Sequence, residues 1–299
     1  MLEIILLTLL VVLLAVKISN DDNFRLEIRK LFRSEKPSAD NAELSVHFID
    51  VGQGDAILIM CGGQSMLIDS GLYEYHEKVE KYIRDCGIER LNYIINTHPH
   101  SDHMGAMSEI ISDFGADEFI SPDIPSDKLP QDDSFDELLL TLRDADIPQT
   151  SAEAGRKIQI GSAEAELLAP LGGTYDELNN YSVVCRLTHG DNTFLFMGDA
   201  EKEEEEALIK SGCDLNADVL KVGHHGLSTS SRKEFLLIVF PAYAVISCDD
   251  IEKHVSVKPT CSRIALTGAE TFRTDNRGTV VIESDGVGLN VLTEKSETE

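Results

Sequence analysis

Residues Thr97 to Ala106 read THPHSDHMGA, with His98, His100, Asp102 and His103 inside six consecutive positions. Only nine histidines serve the 299-residue chain, so three in one turn call for a reason. The stretch follows LNYIINT (Leu91–Thr97), an apolar run that reads as a buried strand. In an extended or turning segment residues two apart share a direction, so His98 and His100 can hold one ion. Asp102 and His103 come one turn later and face elsewhere, which suits a second ion nearby. Imidazole and carboxylate together fit Zn²⁺, Mn²⁺ or Fe. Any one of these side chains alone reads as a cap or a surface residue; the set of four does not.

Three more strand ends carry candidates. LIDSG contains Asp69, FLFMGD ends on Asp199, and VLKVGHHG brings His224 and His225. An aspartate beside glycine is usually only a turn. Gly198 before Asp199 permits a tight turn and close approach. Strands are expected at Leu44–Val51, Asp55–Cys61, Gln64–Asp69, Leu91–Thr97 and Asp117–Pro122. Helices are expected at Tyr73–Asp85, Met104–Asp113 and Ser134–Ala145. A similar set follows: hairpins at Arg156–Ala169 and Tyr181–Met197, helices at Ala200–Ser211 and Arg232–Phe240, and strands at Ala217–Val222 and Tyr243–Ser247. Thr271–Arg273, Gly278–Glu283 and Gly288–Thr293 close the chain. Two sheet-rich halves, each carrying helices, predict an α/β fold: a four-layer αββα sandwich in one domain over residues 44–293.

Lys+Arg total 26 against 53 Asp+Glu, a formal net charge of −27. Such a surface repels phosphate backbones and excludes high-affinity, non-specific DNA binding. A phosphate-bearing substrate therefore needs local cations. The six cysteines lie far apart with no CxxC pair, so they read as free, mostly buried thiols rather than a disulfide framework. EKEEEEA (Glu201–Ala207) reads as the solvated start of a helix, where carboxylates suit the macrodipole. His189, in a hairpin turn, reads as solvated too.

Ahead of this domain, Ile4–Val16 carries no charge. With Leu2, Ile18 and a snorkelling Lys17 it approaches the roughly 20 apolar residues of a membrane span. Residues 1–19 are read as a single membrane anchor or uncleaved signal, with a cleaved secretory signal as the alternative. Lys17, Arg25, Arg29, Lys30 and Arg33 follow it, the pattern of a cytoplasmic body, though acids are interleaved. Residues 20–43 form a polar linker with one short helix at Phe24–Phe32, and residues 294–299 a polar tail.

HPHSDH matches the HxHxDH signature, and with Asp69, Asp199 and a closing histidine in the same order the chain resembles the metallo-β-lactamase superfamily. DVGQGDAILI (Asp50–Ile59), LIDSG, NNYSVV (Asn179–Val184), FLFMGD, VLKVGHHG and RTDNRGTV (Arg273–Val280) are similar to the metallohydrolase domain of ComEC-type DNA-uptake proteins and their stand-alone relatives. The resemblance implies two divalent metal ions, zinc first, with Mn or Fe as alternatives. It implies one ion on His98, His100 and Asp199, and another on Asp102, His103, Asp199 and a histidine of the HHG pair. Strand register favours His224 as that ligand, with His225 facing substrate. Asp69 is expected to ligate weakly or to orient a histidine. The chain departs from relatives in lacking a metal-binding histidine between HxHxDH and Asp199, in reading HHGL for HHGS, and in reading VKP (Val257–Pro259) for GHP. Lys258 then stands where a histidine would line the pocket, unless His254 swings in.

A site of this kind lowers the pKa of water from 15.7 towards about 7 and polarises a phosphoryl or carbonyl oxygen. Asp102, His225 and Lys258 are the expected catalytic side chains. A small-molecule or nucleic-acid phosphodiester is the expected substrate. An acyl ester, thioester or lactam hydrolase is the enzymatic alternative. A membrane-tethered binding module with a degenerate site is the non-catalytic one.

Overall fold

A computed structural model describes residue 36, residues 38–131, 133–250 and 256–296. The expected anchor, the short helix at Phe24–Phe32 and His254 lie outside the described residues. Among the described residues no helix is long and apolar enough to cross a membrane.

The first half lays down β1 (Leu44–Phe48), β2 (Ile57–Cys61), β3 (Gln64–Ile68), α1 (His76–Asp85), β4 (Leu91–Ile95), α2 (Ser101–Met104), α3 (Met107–Phe114), β5 (Ala116–Ser121), α4 (Asp133–Asp144) and β6 (Gln149–Ser151). The second comprises β7 (Lys157–Ile160), β8 (Ala163–Ala169), β9 (Val184–His189), β10 (Asn192–Phe196), α5 (Lys202–Ser211), β11 (Val219–Lys221), α6 (Lys233–Val239), β12 (Tyr243–Ile246), α7 (Val257–Thr267) and β13 (Glu270–Arg273). After α8 (Thr274–Arg277), β14 (Val280–Ser284) and β15 (Leu289–Thr293) return to the first sheet. The sheet orders are β15-β14-β1-β2-β3-β4-β5-β6 and β13-β12-β11-β10-β9-β8-β7.

Alternation in the strands decides the layering. On β10, Phe194 and Phe196 meet Phe48, Ile59 and Ile68 of the other sheet in the central core. Leu195 faces the opposite way, towards Leu208, Phe235 and Ile264 of the helices. Leu58 and Leu67 likewise turn outward onto Val79, Ile83 and Ile110. Each fully buried aliphatic or aromatic side chain contributes roughly 1.5–3 kcal/mol, so three such clusters hold four layers together. The expected αββα sandwich is the architecture found.

Each sheet changes from antiparallel to parallel partway across. Strands β3 to β6 run parallel in one sheet and β10 to β13 in the other. Loops at the carboxyl ends of parallel strands form the usual ligand crevice of α/β folds.

Several boundaries differ from expectation. The helix expected from Met104 breaks into α2 and α3, and β6 is an added edge strand. Helix α7 is an element that the strand and helix expectations did not include; Pro259 falls in its first turn, where no backbone donor is needed. Its buried Thr260, Ile264 and Thr267 keep helical spacing, and Gly268 closes it in the left-handed conformation. His189 is buried rather than solvated, with Nδ1 2.8 Å from Ser284 Oγ and Nε2 3.1 Å from Ser162 Oγ. Two hydroxyls from neighbouring strands and turns satisfy it, which spacing along one strand does not reveal.

Candidate metal centre

Strand β4 runs out at Ile95, and the chain turns through Asn96 and Thr97 into His98. His100 precedes α2 with extended dihedrals, and the single turn of α2 then presents Asp102 and His103. The glycine-rich loop before β2 lies against this turn. Asp55 N donates to Asp102 O at 3.2 Å, and a Cβ on Gly54 would sit 2.4 Å from that same oxygen. Only glycine allows such an approach.

Asp69, just past β3, sits behind His103. Its Oδ2 accepts from His103 Nδ1 at 2.7 Å and Thr97 Oγ1 at 2.6 Å, while Oδ1 accepts from Thr97 N at 2.7 Å and Asn96 Nδ2 at 3.2 Å. With these bonds made, Asp69 orients a histidine and has little left to give a cation. Burial raises its pKa, and the adjacent His103 opposes that.

From the second sheet, β10 delivers Asp199 through Gly198, whose φ of +51° and close neighbours Thr97 and Ser182 disfavour a side chain. β11 delivers the Gly223–Gly226 turn, in which His224 and His225 both take positive φ, 48° and 52°. Left-handed backbone at a non-glycine residue costs on the order of 1–3 kcal/mol and gathers at functional sites. This turn breaks the alternation of the strand, and it is His225 that lies in the tighter cluster, where strand register favours His224. His225 is buried there, and its Nε2 lies 3.3 Å from Asp102 Oδ2, 3.4 Å from Asp199 Oδ1 and 3.3 Å from His103 Nε2.

Donor atoms of Asp102, His103, Asp199 and His225 thus lie within 4.8 Å of one another. His103 Nδ1 donates to Asp69, and His225 Nδ1 donates to Ser247 O at 3.1 Å, so both Nε2 atoms turn lone pairs inward. Asp199 Oδ1 is buried and satisfied by no hydrogen bond. Four lone pairs converging in a buried space repel unless a cation or protons sit among them. Two imidazoles and two carboxylates fit a first-row divalent ion, and 3.3 Å is about the ligand–ligand edge of a tetrahedron with ~2.0 Å bonds.

The same carboxylates draw positive charge onto the histidines themselves. Burial opposes charge on His103, yet Asp199 and Asp69 hold its pKa well above the usual value. Burial is likewise outweighed at His225, raised to about 9 chiefly by Asp199 and Asp102. Asp199 is held well below the carboxylate range despite burial, by His225 and His103. His98 is pushed well down by burial and by its neighbour His103.

The other expected ligands are more loosely gathered. His98 Nε2 is 3.0 Å from His100 Nδ1 and 3.9 Å from Asp199 Oδ2. His224, partly exposed, places Nε2 3.8 Å from the same Oδ2. Lys258 is exposed on the first turn of α7, whose Val257 would touch a Cβ placed on Gly226.

Sequence reasoning missed Lys221. It is fully buried, and its Nζ donates to Asp55 Oδ2 at 2.7 Å and Val222 O at 3.0 Å. Asp55 Oδ1 lies 3.8 Å from His225 Nδ1, so this ion pair joins the two sheets directly behind the centre. A lysine inside the apolar run VLKVG was its signal. The acidic run also needs correction: Glu201 faces His224, Glu204 and Glu205 are buried, and only Glu203 of its five glutamates is exposed. A glutamate can occupy a buried helix position when backbone donors meet it, and Glu205 accepts from Ser231 N and Arg232 N.

A family profile described as "Metallo-beta-lactamase superfamily" matches residues 49–249. "ComE operon protein 3" of Bacillus subtilis (strain 168) is 27% identical over 259 residues, covering 80% of this chain and 33% of that protein. "Recombination protein 2" of Haemophilus influenzae is 29% identical over 209 residues, covering 68% of this chain and 24% of that protein. The chain therefore spans a third or less of these relatives, which are ComEC-type competence proteins as the motifs implied. Among solved structures, CmlA, a diiron β-hydroxylase from Streptomyces venezuelae, superposes with TM-score 0.56 at 14% identity, over 82% of this chain and 55% of that one. Igni18, a metallo hydrolase from Ignicoccus hospitalis, gives 0.51 at 16%, over 81% and 100%. At such identities the structures speak for the fold alone. Matched along two-thirds of its length by the profile and folded like these structures, the chain belongs to the metallo-beta-lactamase superfamily.

Proposed function

We propose that the protein is a metal-dependent hydrolase with a dinuclear centre, acting on phosphodiesters. The observation that carries this reading is the set of inward lone pairs of Asp102, His103, Asp199 and His225 around the unsatisfied Asp199 Oδ1. Similarity to ComEC-type competence proteins favours a phosphodiester over an acyl substrate. Bound there, divalent cations, zinc first, supply a hydroxide nucleophile at neutral pH and draw electron density from a phosphoryl oxygen.

The chain's own residues supply the rest. Asp199 offers one oxygen to each half of the centre. Asp102, the most open carboxylate of the cluster, orients the attacking water. Lys258, on the first turn of α7, meets a phosphate oxygen. Local positive charge of this kind is what allows a phosphodiester to approach a chain of net charge −27. The apolar amino-terminal run tethers the domain to a membrane.

The test is turnover by full-length protein, purified in mild detergent and loaded with Zn²⁺ or Mn²⁺. A chromogenic phosphodiester and single-stranded DNA should be cleaved, and a chromogenic β-lactam left intact. Asp102→Asn should abolish turnover, and Lys258→Ala should reduce it less. Cleavage of acyl esters with no diester cleaved would replace the phosphodiester reading. No cleavage of either would remove the hydrolase reading.

A further inference from the structure

The chain lacks a metal-binding histidine between HxHxDH and Asp199, which leaves the half of the centre built on His98 and His100 short of a ligand. We propose that His224 fills that place, so that the adjacent histidines of the HHG turn serve different ions, with Glu201 as the residue that positions His224. This inference rests on the dinuclear reading above.

The Asp199 carboxylate is shared in a telling way. Its Oδ1 faces His103 Nε2 at 3.3 Å and His225 Nε2 at 3.4 Å. Its Oδ2 faces His98 Nε2 at 3.9 Å and His224 Nε2 at 3.8 Å. Each oxygen therefore looks towards one histidine from each sheet. Two consecutive positive-φ residues are what allow this, because they aim neighbouring side chains at opposite ends of one carboxylate.

The tautomer of His224 is set for the task. Its Nδ1 lies 2.9 Å from Glu201 Oε1 and 2.9 Å from Thr229 Oγ1. Ionised, Glu201 only accepts, so Nδ1 carries the proton and Nε2 keeps its lone pair towards Asp199 and the His98–His100 side. That lone pair accepts a long 3.4 Å hydrogen bond from Asn179 Nδ2, nearer than Asp199 Oδ2 at 3.8 Å, and an ion bound there would take Asn179's place. A carboxylate on one ring nitrogen and a ligand position on the other is the arrangement that holds metal-bound histidines in place. With His98, His100 and His224, this half offers three imidazoles and one carboxylate oxygen, a set suited to Zn²⁺ or Co²⁺. The other half offers two imidazoles and two carboxylates.

Full-length protein stripped of metal is titrated with Co²⁺, read by visible absorption and by bound metal per chain. Wild type should bind two ions, His224→Ala one, and His225→Ala one with a different absorption spectrum. Glu201→Gln should keep both sites and weaken one by about 10–100-fold. Glu201 lies at the helix start and is not fully buried, so this variant decides the matter should His224→Ala fail to fold. Two ions bound by His224→Ala with unchanged affinity, or a Glu201→Gln titration that overlays wild type, overturns the proposal and leaves the hydrolase reading standing. A wild type that binds one ion, still bound in His224→Ala and lost in His225→Ala, overturns it too. A wild type that binds no Co²⁺ removes both readings.

Discussion

At the scale of residues, one carboxylate and one ion pair carry most of the consequences. Asp199 is the carboxylate set between both groups of histidines among the described residues, so Asp199→Ala should lower bound metal at both positions. Elemental analysis beside circular dichroism checks this: full metal content with a native spectrum refutes the assignment. Lys221 and Asp55 are paired away from water, where removing one partner strands the other charge at a cost of about 3–5 kcal/mol. Lys221→Met should lower the urea midpoint accordingly, and adding Asp55→Leu should recover most of the loss. A single variant within about 1 kcal/mol of wild type would show that the pair holds little. HxHxDH, Asp69 and Asp199 were legible because unusual residue types fell at strand ends. The different directions in which His224 and His225 face were not. Register arguments assume strand alternation, and alternation stops where φ turns positive.

Among elements, α5 shows how charge can mislead. Four glutamates in succession look solvated, yet the helix turns Glu205 inward to meet Ser231 N and the backbone and side chain of Arg232 at the start of α6. Burial raises the pKa of Glu205 from 4.5 to about 7. The folded protein therefore keeps this proton longer than the unfolded chain does. Stability contributed by the group is greatest below pH 4.5 and falls as pH rises to about 7. Glu205→Gln should remove that slope, so the wild-type melting temperature should fall relative to the variant between those values. Parallel curves would show that burial does not control this carboxyl. Helix α7 was illegible for a related reason: a proline in the first turn reads as a break, and its buried stripe of Thr260, Ile264 and Thr267 is only weakly apolar.

For the whole molecule, the layered class was readable from alternation and spacing, whereas strand order needs partners distant in sequence. Charge acts at this scale as well. Repulsion between a −27 surface and single-stranded DNA weakens as the Debye length shrinks from about 30 Å at 0.01 M salt to about 10 Å at 0.1 M. Cleavage of long DNA should therefore rise over that range, opposite to basic DNA binders, while a small diester responds little. A falling rate for both would count against this. The centre itself draws His98 to His103 from one sheet and Asp199 with His225 from the other. Metal held there is a suture across the seam between two half-molecules, and bound ion at 100 times its Kd adds about 2.7 kcal/mol to folding. A chelator should lower the melting temperature and release amide protection first at the ends of β4 and β10. Unchanged protection would mean the seam holds by packing alone. Under the proposed reading, supply of the ion then bears on how firmly the chain stays folded as well as on its chemistry.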